Sequence, residues 1–262
     1  MLIRPDIDGV LLISQPAHAW VSGQLARAWA AGDDGYFQPY EEICLAAEQH
    51  DIGWLQWEAS PTLNPETGLP YAFREMPRKN HLQIWGRARR YAMIFGRYPA
   101  LLISMHGTWL FEQFGPSEDA PRNEKLQVDT YLRRERASQQ ELIESLGQDH
   151  KYEDLVDPEV LQRNQQLIST WDGMSLMICG GVGQDGVTIG DYTIAPGAEE
   201  DELEVSPWPF REDELTVFAE SRRIAGTFDR QTKMHAALNE AERFLLEFTL
   251  RPGSDEAAER ES

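Results

Sequence analysis

Cysteine is scarce in this sequence: 262 residues hold two, Cys44 and Cys179, each in an apolar stretch. Two distant thiols build neither a disulfide framework nor a Cys-based zinc site, so a reducing, cytoplasmic setting is the expectation. Positive charge is also scarce. Asp and Glu number 44 against 24 Lys and Arg, a formal net charge of −20. A field of that sign repels polyphosphates, which argues against a nucleic-acid polymer or an anionic membrane surface as partner. Long hydrophobic runs are missing too: Gly9–Ile13 and Ala100–Ser104 are far too short to span a bilayer. Ala17-His18-Ala19 mimics a signal-cleavage site, but Asp6 and Asp8 spoil the basic segment such a signal needs. The expectation is a soluble, unprocessed protein. No internal repeat or low-complexity tract is found.

What is present is a succession of helical patterns. Ser14 and Pro16 open the first, with Val21, Leu25 and Ala28/Trp29 on one face. Tyr40 to Trp57 repeats the pattern, and after a Pro/Gly/Asn-rich loop Pro77 and Pro99 precede two more. A polar helix covers roughly 124–146, and a sixth runs to about Cys179. The glycine run 180–186 then ends the helices. A phosphate-cradling loop needs a strand before its glycines and a helix after; here the order is reversed, so the run reads as cap and turn. Short β-branched segments follow at 187–194, 203–205, 215–218 and 244–250, interrupted by one helix near 230–240. The expected architecture is mainly α: a helical metal-binding domain over 1–182, a small antiparallel β appendage over 183–251, and a disordered tail over 252–262.

The histidines number six, and four fall on apolar helical stripes. His18 precedes Val21 by three and Leu25 by seven; His50 precedes Trp54 by four; His81 precedes Trp85 by four; His106 lies midway between Leu102 and Leu110. Asp172 sits four after Ile168 and four before Leu176, and Asp51 adjoins His50. A single buried imidazole is most often a satisfied core residue. Buried carboxylates are different, because without a partner each costs several kcal/mol, and nothing basic lies at contact spacing on those stripes. A divalent transition metal (Fe, Mn, Zn, Co or Ni) satisfies imidazoles and carboxylates together.

The order His18, His50-Asp51, His81, His106, Asp172 resembles the HD-domain superfamily of metal-dependent phosphohydrolases. The phrases Ala46-Ala47-Glu48-Gln49-His50-Asp51-Ile52-Gly53-Trp54, Ser104-Met105-His106 and Trp171-Asp172-Gly173-Met174-Ser175-Leu176 resemble more narrowly an uncharacterised bacterial family of HD-like architecture. The resemblance spans roughly 14–180. It implies that His18, His50, Asp51 and Asp172 hold one metal, that His81 and His106 match the positions that bind a second, and that Asp51 is central to catalysis. The HD-GYP phosphodiesterases add a Gly-Tyr-Pro signature and a lysine after the last aspartate. Here Gly173 and Met174 follow Asp172, so the resemblance does not extend to cyclic-dinucleotide hydrolysis.

Seven of the 24 basic residues fall between Arg74 and Arg97. Arg78, Lys79 and Arg87 are the substrate-binding candidates in this island; a solvated face that balances the acidic remainder is the plainer account. Trp54, Trp57, Tyr71 and Phe73 suit either a stacked ring or core packing. Glu48, Gln49 and Glu112 are candidates for proton transfer, His150 and His235 stand outside the constellation, and the acidic stretch 199–204 reads as solvated loop. The functional expectation is a metal-dependent hydrolase of a small phosphorylated or nucleotide-type substrate. Its alternatives are a di-iron oxygenase and a non-catalytic, metal-stabilised ligand-sensing or interaction scaffold.

Overall fold

A computed structural model describes residues 1–30, 37–199 and 201–253. The chain opens with a hairpin, β1 (Leu2–Asp6) and β2 (Gly9–Ile13), and turns at Ser14 into helix α1 (Gln15–Ala28). Ser14 accepts a hydrogen bond from the Ala17 amide and Pro16 occupies the first turn, as its spacing predicts. Helices α2 (Tyr40–Gln49), the short α3 (Leu55–Glu58), α4 (Arg78–Ala92), α5 (Arg97–Gln113), α6 (Arg122–Gly147) and α7 (Pro158–Gly180) follow. Gly181, at φ 92°, ends α7. Strands β3 (Val187–Ile189), β4 (Tyr192–Pro196), β5 (Glu202–Ser206) and β6 (Leu215–Ile224), helix α8 (Gln231–Glu240) and strand β7 (Glu242–Pro252) complete the order. Residues 254–262 of the expected tail, and Glu200 of the acidic stretch, lie outside the described residues.

The expectation of a mainly α, all-α-type bundle with a small antiparallel β appendage is overturned. The strands form one seven-stranded sheet in the order β1-β2-β6-β7-β5-β4-β3, and it is mixed, because β5 runs parallel to β7. It draws on residues from both ends of the chain: Val10 pairs with Ile224 and Ile13 with Ser221. Four- and five-residue apolar segments cannot reveal by periodicity that they are strands, and Pro5 inside β1 further masks the pattern; as the edge strand, β1 tolerates it. Gly9 is required at the hairpin, since its φ is +148° and a Cβ there would lie 2.2 Å from the Ile224 carbonyl oxygen.

Alternation places the two faces of the sheet against different partners. Ile13, Val217, Ala219, Phe248 and Leu250 share the main core with Val21, Leu25, Trp171 and Ile178 of α1 and α7. Leu12 and Ile224 instead pack with Met234 and Leu238 of α8. Trp29, at the end of α1, meets Trp171, Tyr192 and Phe210 edge to face and so joins helices to sheet. Both cysteines are buried and free, and burial pushes their thiols up, Cys44 to about 11 and Cys179 to about 12. Among the described residues no helix is long and apolar enough to cross a membrane.

Three of the seven basic residues of the island are tied to α6 and the turn that follows it. Arg78 pairs with Glu124, Arg89 with Glu135 and Arg97 with Asp149. Glu135 is the buried member of the series: it is 1% exposed and takes Arg89 at 2.9 Å, Arg134 at 3.3 Å and the Ser104 hydroxyl at 3.0 Å. Removing a buried partner leaves an uncompensated charge, so Glu135→Ala is expected to lose about 3 kcal/mol. Glu112→Ala, which breaks only the exposed pair with Arg136, is expected to lose under about 1 kcal/mol. Urea unfolding midpoints of the two variants check this ordering.

Candidate metal centre

Periodicity predicts one helix over 40–57, but α2 stops at Gln49. Asp51 takes φ −96° and ψ 19°, a 3₁₀ turn covers Ile52–Trp54, and Gly53 presses so closely on α4 that a Cβ would lie 2.4 Å from the Ile84 carbonyl oxygen. The break matters chemically. Neighbours on a continuous helix point about 100° apart. Leaving the helix at His50 lets it and Asp51 face the same interior point.

Three elements supply the rest. His18 comes from the buried face of α1, His106 from the middle of α5 and Asp172 from α7. His18, His50 and His106 are at most 1% exposed, Asp51 3% and Asp172 7%. His18 Nε2 lies 2.8 Å from Asp51 Oδ2, His50 Nε2 3.2 Å from Asp172 Oδ1, and His106 Nε2 3.3 Å from Asp172 Oδ2. Two overlapping triads result, His18–His50–Asp51 and His50–His106–Asp172, each with ligand atoms within 4.8 Å of one another. Five of the six expected ligands are thus brought together.

His81 stands outside both triads. It is half-buried, donates from Nε2 to the Phe73 carbonyl at 2.8 Å and meets Trp54 edge to face. Burial pushes its pKa below the usual imidazole value. It does line the cavity onto which the triads open.

The far nitrogen of each clustered imidazole is held. His50 Nδ1 donates to the Ala47 carbonyl at 2.8 Å, His18 Nδ1 lies 3.0 Å from Ser175 Oγ, and His106 Nδ1 lies 3.2 Å from Ser169 Oγ. Ser175 in turn donates to the Asp172 carbonyl and receives Ser22. Gln15 donates to Asp51 Oδ2 at 3.1 Å, and the Gln15 amide is held by the buried Glu58. Fixing Nδ1 aims every Nε2 inward, the arrangement that second-shell partners give metal-binding histidines.

For His50 the consequence is sharp. With its proton on Nδ1, a neutral His50 presents a lone pair to Asp172, an acceptor facing an acceptor. The Nε2 atoms of His50 and His106 are buried and make no hydrogen bond among the described residues. Such a pair is satisfied either by an extra proton or by a cation between the groups. Burial disfavours the extra proton, but Asp172 and Asp51 outweigh it and raise His50 to about 9. Burial likewise opposes the charge on Asp172, yet His50 and His106 hold its carboxyl well below the usual range; His50 and His18 hold Asp51 down in the same way. The donor set of imidazole nitrogens and carboxylate oxygens fits a divalent transition metal.

Asp51 and Asp172 line a cavity of about 910 Å³, together with Gln15, Arg74, Arg78 and His81. Trp54 and Phe73 line it too, while Trp57 and Tyr71 pack behind them. Among the basic candidates, Arg78 reaches this cavity but is tied to Glu124. Lys79 and Arg87 line a separate shallow groove between α4 and α6. Glu48 pairs with Arg27 and Glu112 with Arg136; His150 is exposed, and His235 donates to the Pro61 carbonyl. Sequence reasoning missed Gln15, Ser169 and Ser175. Two of them carried a signal: Gln15 is three before His18 and Ser175 three after Asp172, on the same helical faces.

Ser175→Ala is expected to lower metal affinity by about 10- to 100-fold with the fold retained, measured by competition with a chromogenic chelator. Metal must displace the proton on His50, so apparent affinity should fall on acidification below about pH 9, by up to tenfold per unit. In metal-free protein the sign is opposite. The raised His50 adds stability that is complete below its ordinary 6.5 and is lost as pH rises through about 9. Metal titrations and thermal melts across pH 6 to 10 check both signs.

A family model described as "Protein of unknown function (DUF3891)" matches residues 1–225. No curated protein and no solved structure matches the chain.

Proposed function

We propose, from the premise that this chain belongs to the DUF3891 family, that it is a metal-dependent hydrolase of a small phosphorylated substrate. One observation carries the reading: three buried imidazoles with fixed far nitrogens and two carboxylates converge, acceptor against acceptor, at the wall of a large cavity. The chain order His18, His50-Asp51, His106, Asp172 supports kinship with HD-type hydrolases, although the seven-stranded sheet departs from their helical pattern.

His18, His50, His106, Asp51 and Asp172 are the ligands, and a bound divalent ion supplies Lewis acidity and a water of lowered pKa. The remaining work falls to the chain. Gln15 fixes the Asp51 carboxylate where it faces the cavity, and Asp51 receives the proton of the attacking water. As the water oxygen bonds to phosphorus, the ester P–O bond breaks and the departing alkoxide takes up the proton that Asp51 received, which returns Asp51 to its carboxylate. Trp54, Phe73 and Trp85 give the cavity an apolar wall beside Asp51 and Asp172.

The second reading, oxygen activation by a pair of irons, is favoured by the apolar cavity wall. Purified protein is expected to contain Mn, Fe, Zn, Co or Ni and to release phosphate from esters under Mn or ferrous iron. Asp51→Ala is expected to lose both metal and turnover. Substrate-dependent oxygen uptake by the ferrous protein without phosphate release moves the assignment to the oxygenase; elemental analysis that finds no metal, with Asp51→Ala unaltered in stability, removes both.

A further inference from the structure

The cavity walls say more about the substrate than the metal ligands do. Six aromatic side chains line the space: Trp54, Phe73, Trp85, Trp109, Phe111 and Phe114. Leu176 and Met177 of α7 and Ile189 of β3 add aliphatic surface. The volume of about 910 Å³ falls within the roughly 300–1,000 Å³ of sites that enclose a drug-sized molecule.

The polar groups on the walls are largely committed. Ser169 receives Gln165 and contacts His106, Thr188 pairs with Thr193, and the Gln15 amide is bonded to Asp51. A sugar rich in hydroxyls would exchange water for a mainly apolar wall on which Gln15 Oε1 and Trp54 Nε1 are the buried side-chain atoms left unpartnered among the described lining residues, at a cost of about 1–3 kcal/mol for each hydroxyl left unpaired.

Charge gives a second, independent constraint. Three carboxylates, Asp51, Glu124 and Asp172, face two guanidinium groups, Arg74 and Arg78. Arg78 is taken by Glu124 and by the Phe114 carbonyl. Arg74 stacks over the Phe73 ring and makes no ion pair among the described residues. A divalent ion balances Asp51 and Asp172, which leaves one uncommitted positive group. That is too little for a chain of phosphates, since polyphosphate sites array several cations and backbone amides around the anion.

Resting on the hydrolase reading, we infer that the substrate is a phosphate monoester whose alcohol part is an apolar, ring-bearing group, seated among the aromatic walls with Arg74 meeting the phosphate. Hexose phosphates and nucleoside triphosphates are disfavoured, the first by unpaired hydroxyls and the second by charge.

The experiment compares 1-naphthyl phosphate, glucose 6-phosphate and ATP as substrates of the Mn-loaded full chain. Naphthyl phosphate is expected to show kcat/KM at least about tenfold above the other two. Phe114→Ala, at an exposed part of the wall, is expected to narrow that preference with metal content unchanged. Faster turnover of glucose 6-phosphate or ATP, or a preference unaltered in Phe114→Ala, overturns the inference while the hydrolase reading stands. Binding of the non-hydrolysable naphthyl phosphonate, read by tryptophan fluorescence, separates the two ideas. Saturable metal-dependent binding weakened in Arg74→Ala, with no ester turned over, upholds the ligand class and removes the hydrolase; no binding and no preference removes the ligand class.

Discussion

Everything in this protein's interior is organised around a repulsion. Two carboxylates and three imidazoles, the latter held from behind at Nδ1, point at one another at the buried wall of the cavity. The Ala47 carbonyl decides the matter for His50, because it takes the Nδ1 proton and leaves Nε2 to confront Asp172. A low-dielectric surrounding makes an unsatisfied polar group costly, and it also makes a cation placed there effective. The fold tolerates the cluster because positive charge completes it.

The architecture explains how such a cluster is held. Helix α1 is sandwiched between the sheet and α2 and α7, so His18 cannot withdraw without moving β6. Helix α6 clamps α4 and α5 from outside through Glu135, which joins Arg89 of α4 to Ser104, two residues before His106. Arg78, Arg89 and Arg97 therefore act as fasteners, and Arg74 faces the cavity with no ion pair among the described residues. The apolar character of that cavity and the polar character of its far end are two parts of one site.

The candidate site was more legible in the sequence than the fold. His18, His106 and Asp172 sit on regular helices, where spacing from Val21, Leu102 and Ile168 reports the buried face directly. His50 and Asp51 lie in the cluster although the helix expected to continue to Trp57 stops at Gln49, because the turn that follows them depends on Gly53 meeting α4, a contact remote in sequence. His81 shared the helical signal but satisfies itself on a nearby carbonyl, and stripe position cannot tell these outcomes apart. The sheet was misjudged for a related reason. The hairpin of β1 and β2 joins the sheet only through the pairing of β2 with β6, and short-range pattern carries no trace of a partner at the other end of the chain.

That pairing bears on the order of events during folding. Val10 finds its partner at Ile224, and α1, which carries His18, continues directly from β2. Contacts between such distant parts of a chain form late, because a large loop must close before they repay its entropy. A ribosome-bound chain therefore displays α1 long before β6 exists to seat it. Capture of the proposed ion by all five side chains requires the finished molecule, so its binding would mark the end of assembly and would thereafter oppose its reversal.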